Sequence, residues 1–149
     1  MAPELLLVAT GSGGTQAGLV AGTLAGGHPW RVVGASVSRP AEECAARVLT
    51  LARAAAALLD QPEAAAHHVE VRDTRGPGYG IPSAAGERAA RLAAGSEGLL
   101  LDPVFTAKAL ALLALLVEEG VRGPVVFWHT GGIPAALAQL TGGGPWGDP

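Results

Sequence analysis

Thr10-Gly-Ser-Gly-Gly-Thr-Gln-Ala-Gly18, set between the apolar run Leu5–Ala9 and a stretch of small residues, decides the fold. A continuous apolar run closed by glycine reads as a strand covered on both faces. The residues after it, Thr15 through Ala25, read as a helix whose Gly18 and Gly22 share one face for close packing. Glycines let backbone N–H groups approach an anion without interference from Cβ atoms, and the helix N-terminus adds a favourable dipole. The turn therefore predicts a cradle for a phosphorylated ligand.

Outward from that turn, strands and helices alternate. Arg31–Val37 reads as the second strand, and Ser38 is expected to cap a helix over Ala41–Leu59, with Pro40 at its start and Glu42 and Glu43 facing the positive end of its dipole. Cys44, Val48, Leu51, Ala55 and Leu58 recur at intervals of three and four, the period of one buried helical stripe. A short strand is expected over His68–Arg72. Thr74–Pro82, with three glycines and two prolines in nine positions, is a shaped loop presenting Tyr79.

Ser83 should cap a helix running to about Ala94, closed by Gly95, and Gly98–Leu101 reads as another buried strand ending at Asp102-Pro103. Thr106–Glu119 is apolar almost all round, Val125–Trp128 is the last strand, and His129–Gly132 forms a second glycine turn before a short helix over Ile133–Leu140. Glu118 and Glu119 are expected to be merely solvated. The Gly/Pro-rich tail Thr141–Pro149 is expected to fray from a domain spanning residues 1–140.

Repeated strand–helix alternation predicts an α/β domain with a doubly wound, mainly parallel sheet. Ligands of such sheets collect at the carboxyl ends of the strands. Thr10–Thr15, Asp102–Thr106 and His129–Gly132 all lie there, so three distant loops should converge on one crevice, with the Tyr79 loop beside them.

Composition narrows the partners. A net charge of −3 and the absence of a basic stripe argue against nucleic acid. The most apolar run, Ala107–Val117, is too short to cross a bilayer, and Cys44, the one cysteine, suits a reducing compartment, so no membrane association and a cytoplasmic location are expected. Only 15% of the residues are charged, and much of the apolar content is alanine, which predicts surfaces that meet another subunit and a homo-oligomer. His67 and His68 lack partners at metal-ligand spacing, and no metal site is expected. By itself the glycine turn would serve a dinucleotide, a nucleoside phosphate or pyridoxal phosphate, although the strand-terminal acid of a dinucleotide site is replaced here by Ser38-Arg-Pro.

Four ordered motifs, TGSGGTQAG from Thr10, RGPGYGIP from Arg75, EGLLLDPVFTAK from Glu97 and VVFWHTGGIPA from Val125, together resemble the carboxy-terminal half of the D-cysteine desulfhydrase and 1-aminocyclopropane-1-carboxylate deaminase family. These are pyridoxal-phosphate enzymes of the tryptophan-synthase-β-like fold, and the resemblance implies part of the cofactor-binding large domain of fold-type II enzymes. It implies that Thr10, Gly11, Ser12, Gly13, Gly14 and Thr15 hold the cofactor phosphate, that Tyr79 faces a small amino-acid substrate, and that Thr106 and Thr130 lie beside the pyridine nitrogen.

A threonine at position 106, where the deaminase branch is expected to carry glutamate, leans toward the desulfhydrase branch, which eliminates a β-leaving group to give a keto acid and ammonia. Phe105 stands where the family usually has a second tyrosine, so any hydroxyl chemistry there is lost. The only lysine is Lys108, which matches a lysine after the DPV motif and not the Schiff-base lysine. The resemblance thus implies an incomplete enzyme, inactive alone, as a fragment, a truncated reading frame or one subunit of a split enzyme with a companion half, because in the family the Schiff-base lysine belongs to the amino-terminal half; a non-catalytic phosphate-ligand binding or interaction module is the alternative, and a nucleotide-binding Rossmann unit a weaker one.

Overall fold

The computed structural model describes residues 2–140, so the tail expected to fray lies outside the described residues. β1 (Leu5–Thr10) leads through the glycine turn into α1 (Gly14–Ala25), then β2 (Arg31–Ser36), α2 (Ala41–Leu58) and β3 (Glu70–Asp73). After the tyrosine loop come α3 (Ala84–Glu97), α4 (Thr106–Glu118), β4 (Val125–Trp128) and α5 (Ile133–Leu140). The four strands form one sheet in the order β3-β2-β1-β4, with every pairing parallel.

Side-chain alternation along the strands assigns the two faces. Leu5 and Leu7 of β1 and Val33 and Ala35 of β2 pack against Ala109, Leu112 and Leu116 of α4. Leu6 and Val32 point the other way, into Ala17 and Val20 of α1 and Cys44, Val48 and Ala52 of α2. Helices on both faces explain why β1 reads as an unbroken apolar run, and the expected doubly wound parallel α/β architecture is the one observed. Gly34 in β2 is set by a close approach: a Cβ there would collide with the Gln16 side chain, which crosses the strand to donate from Nε2 to the Glu70 carbonyl at 2.8 Å.

Several local expectations are corrected. Residues 98–101 join no ladder: Gly98, at φ 64°, ends α3 in the left-handed conformation, and the Leu99 N–H is spent on the Ala93 carbonyl. Their apolar side chains are nonetheless packed, with Leu101 in a small cluster beside Ala93 and Ala107, so the apolar run records burial without pairing. Gly98, three residues beyond Gly95, is therefore the helix stop. Ser38 leaves α2 uncapped by any side chain and turns its hydroxyl toward the Gly11 carbonyl. Glu119 is no merely solvated acid; it takes a two-pronged contact from Arg72, at 2.8 and 3.3 Å.

Candidate functional site

The glycine turn leaves β1 with Gly13 at φ 91°, a left-handed conformation that L side chains resist. Ala17 is the first residue of α1 to donate inward, to the Gly13 carbonyl at 2.9 Å. The N–H groups of Gly14, Thr15 and Gln16 precede it and have no partner within the helix. No acceptor among the described residues takes the N–H of Ser12 or Gly13 either. Five consecutive donors are thus uncommitted at the carboxyl end of β1. Ser12, Gly14 and Thr15 are exposed, and a Cβ built on Gly14 meets no atom within 4 Å. Open donors at a helix start, with space in front of them, fit the phosphate of a cofactor.

Thr10 plays a different part. It is buried, and its hydroxyl donates to Gln16 Oε1 at 2.9 Å, so it pins the start of α1 to the strand end. Gln16 carries no label in the sequence motifs as a structural residue, yet it ties β1, β2 and β3 together.

The start of α4 comes up beside this cradle. Asp102 is buried, and its carboxylate accepts from the N–H groups of Val104, Phe105 and Thr106 at 2.7 to 3.0 Å, which makes it the effective cap of α4. The Thr106 hydroxyl donates to Asp102 Oδ2 at 2.6 Å and accepts from the Asp102 N–H at 2.9 Å. Phe105 is the hub of the crevice. A Cβ on Gly11 would sit 3.4 Å from its ring, and the Tyr79 ring meets it edge-on with centroids 6.1 Å apart.

The third turn arrives at the same place. His129 accepts at Nδ1 from the Gly131 N–H and sits 3.1 Å from the Leu100 carbonyl through Nε2, which fixes the proton on Nε2. Gly131 and Gly132 both have φ above 100°, and a Cβ on Gly132 would lie 2.7 Å from the Asp102 side chain. Thr130, exposed, is carried on that turn. The two strand-tip turns, after β1 and β4, therefore meet the α3–α4 connection around Asp102 and Phe105. Thr106 is buried at that junction, and Tyr79, 62% exposed, stands at its rim.

Lys108 is nearly inaccessible. Its Nζ donates to the carbonyls of Arg75 at 2.7 Å and Gly78 at 2.9 Å, clamping the tyrosine loop against the first turn of α4. Burial pushes its ammonium pKa below the usual lysine value. α3 packs close to this turn at Gly86, where a Cβ would be 3.4 Å from the Lys108 backbone nitrogen and 3.0 Å from the capping Ser83 hydroxyl. A cavity of about 770 Å³ opens between α3 and α4 along Leu92, Leu110 and Leu113. It is apolar and touches the crevice only through Lys108 and the base of the tyrosine loop, so it is not the cradle. His67 and His68 lie on the far edge of the sheet, and no group of three or more potential metal ligands occurs among the described residues.

A parallel α/β domain with donors bared at a strand-to-helix turn belongs to the classes that bind phosphorylated cofactors. The family described as "Pyridoxal-phosphate dependent enzyme" matches residues 1–131, and the chain belongs to that family. It is 41% identical over 136 residues to the D-cysteine desulfhydrases of Salmonella paratyphi C and Salmonella choleraesuis, and 40% identical to that of Salmonella newport. Each alignment covers 89% of this chain and 41% of the relative, so the chain spans well under half the length of these proteins. A crystal structure described as an ACC deaminase homologue superposes with a TM-score of 0.83 at 32% identity, covering 93% of this chain and 43% of the other. Dependence on pyridoxal phosphate is the property this family implies, and the bared donors of the β1 turn fit it. No helix among the described residues is long and apolar enough to cross a membrane.

Proposed function

We propose that this chain forms the phosphate-holding part of a pyridoxal-phosphate lyase that removes a β-leaving group from a small amino acid, as a D-cysteine desulfhydrase does, to give a keto acid and ammonia. The observation that carries the reading is the row of five uncommitted N–H groups, Ser12 to Gln16, with open space at Gly14 and with Phe105 and Tyr79 beside the turn. Pyridoxal phosphate, when bound, supplies the electron sink for the reaction.

The chain's own residues do the rest. Residues Gly11 to Thr15 bind the phosphate, with N–H groups of the turn and the hydroxyls of Ser12 and Thr15 as donors, while Thr10, its hydroxyl spent on Gln16, holds the turn from behind. Phe105 walls the crevice and keeps water from its floor. Tyr79 presents a phenol that holds or moves a proton on the substrate side. Thr106 and Thr130 offer hydroxyls to the ring nitrogen. For Thr106 to donate there its proton must leave Asp102 Oδ2, whose carboxylate keeps three backbone N–H donors.

The same chain alone completes no turnover in this reading. The one lysine amine among these residues, Lys108 Nζ, is buried and committed to two loop carbonyls, so in this reading the amine that anchors the cofactor comes from outside them. Exposed Leu92, Leu115 and Val117 favour self-association of the isolated chain, which light scattering would register as a dimer or larger species. The deciding experiment incubates purified chain with pyridoxal phosphate and D-cysteine. Saturable cofactor uptake without keto-acid release is expected; enzyme-like turnover would overturn the incomplete-enzyme reading, and absence of uptake would overturn the cofactor reading itself.

A further inference from the structure

The glycine turn does not hold its own shape. Gly11 accepts at its carbonyl from Arg39 Nη1 at 2.8 Å, with Ser38 Oγ at 3.4 Å on the same oxygen. Ser12 accepts at its carbonyl from Arg47 Nε at 2.7 Å. Arg39 lies in the connection from β2 to α2 and Arg47 in the second turn of α2, both more than 25 residues away in sequence. Arg39 is half-buried and steadied by Glu43 at 3.2 Å, while the stem of Arg47 lies against Gly13.

A trans peptide places its C=O and N–H on opposite sides of one rigid plane. The Gly11 carbonyl shares its plane with the Ser12 N–H, and the Ser12 carbonyl with the Gly13 N–H. Turning those two oxygens toward α2 therefore turns the Ser12 and Gly13 N–H groups away from it, toward the mouth of the turn. Glycine peptides would otherwise flip at little cost.

We propose that Arg39 and Arg47 are positioning residues: by holding the Gly11 and Ser12 carbonyls they orient the Ser12 and Gly13 N–H groups for the phosphate of the cofactor. The inference rests on the proposed pyridoxal-phosphate reading of this turn. The arginines touch peptide oxygens and act on the anion through the peptide planes, with their charge as a secondary, screenable contribution.

The test uses the full chain and its Arg39→Met, Arg47→Met and Arg39→Lys variants. Noncovalent binding of pyridoxal phosphate and of pyridoxal is measured for each by calorimetry, at low salt and in about 0.5 M KCl, where exposed charges are screened within a few ångströms. Each methionine variant should bind pyridoxal phosphate about tenfold more weakly, the loss expected for one charge-assisted hydrogen bond, with pyridoxal affinity unchanged and the loss persisting in salt. Arg39→Lys, which keeps a donor, should recover most of it. Equal losses for both ligands, or a loss that vanishes in salt, would overturn the inference. The carbonyl ¹³C shifts of Gly11 in Arg39→Met and of Ser12 in Arg47→Met provide a reading that needs no ligand. Movement of each is expected, and unmoved shifts would overturn the orientation claim. Failure of wild-type chain to take up the cofactor would instead strike the proposed function.

Discussion

Two glycine-rich loops flank the crevice, and each has its carbonyl oxygens tied from behind by a cationic side chain. In the turn after β1 the ties are Arg39, from the connection before α2, and Arg47 of α2; in the Tyr79 loop the tie is Lys108, buried in the first turn of α4. The first loop offers a row of bare N–H groups. The second offers one ring, with Gly76, Gly78 and Gly80 all at positive φ to turn the chain around it. Glycine content is thus a poor guide to what a loop presents. The direction in which its peptides are pinned decides.

Cutting the tie of the second loop should have the largest effect. Lys108→Met strips charged hydrogen bonds from two carbonyls, and unfolding free energy by denaturant titration should fall by about 3 kcal/mol. Proteolytic nicking within residues 75–82 should accelerate in parallel. A loss below about 1 kcal/mol would mean that the loop is held by something other than Lys108.

The first loop breaks in two separable ways. Gly13→Ala places a Cβ 3.2 Å from Val48 Cγ2 at φ 91°, and the left-handed conformation alone costs about 1–2 kcal/mol, so stability and cofactor uptake should drop together. Gly14→Ala should part them. Its Cβ enters open space at the start of α1, so the melting temperature should hold or rise by the margin of alanine over glycine, at most about 1 kcal/mol. Pyridoxal-phosphate uptake should nevertheless weaken, because that open space is where the anion is proposed to sit. Uptake that survives unchanged would move the phosphate elsewhere.

The smallest effect concerns pH at the base of the tyrosine loop. The Arg75 guanidinium beside Asp73 holds its carboxyl below the ordinary value of 3.8. Because the folded value is the lower one, the stabilisation is present above pH 3.8 and is lost as pH falls through the folded value. Asp73→Asn should therefore be slightly less stable than wild type near neutrality, and the gap should close on acidification. The pair is more than a third exposed, so screening keeps the gap small. A gap constant with pH would assign it to something other than the ion pair.

The sheet and its covering helices were legible because alternating burial leaves a local trace: Leu5–Ala9 is apolar throughout since α1 and α4 cover opposite faces. Residues 98–101 misled for the same reason, since an apolar run registers burial and carries no record of whether a neighbouring strand is present. At the site, the glycine turn is local and was readable, whereas Asp102 read only as the end of an apolar run and its capping of α4 was not foreseen. The roles of Arg39, Arg47, Gln16 and Lys108 were not, because each acts on a backbone oxygen 28 to 54 residues away. Nothing in their immediate sequence marks those partners. An arginine following a strand end and a lone lysine opening an apolar helix were the only signals available.

The central claim is that the turn after β1 takes the phosphate of pyridoxal phosphate. Titrating that cofactor into isotope-labelled chain and following backbone amide shifts tests it most directly. The largest movements should fall on Ser12, Gly13, Gly14, Thr15 and Gln16, with smaller ones at Thr106 and Tyr79 from the nearby ring. Shifts centred instead on Leu92 and Leu113 in the α3–α4 cavity, or no shifts at all, would contradict it.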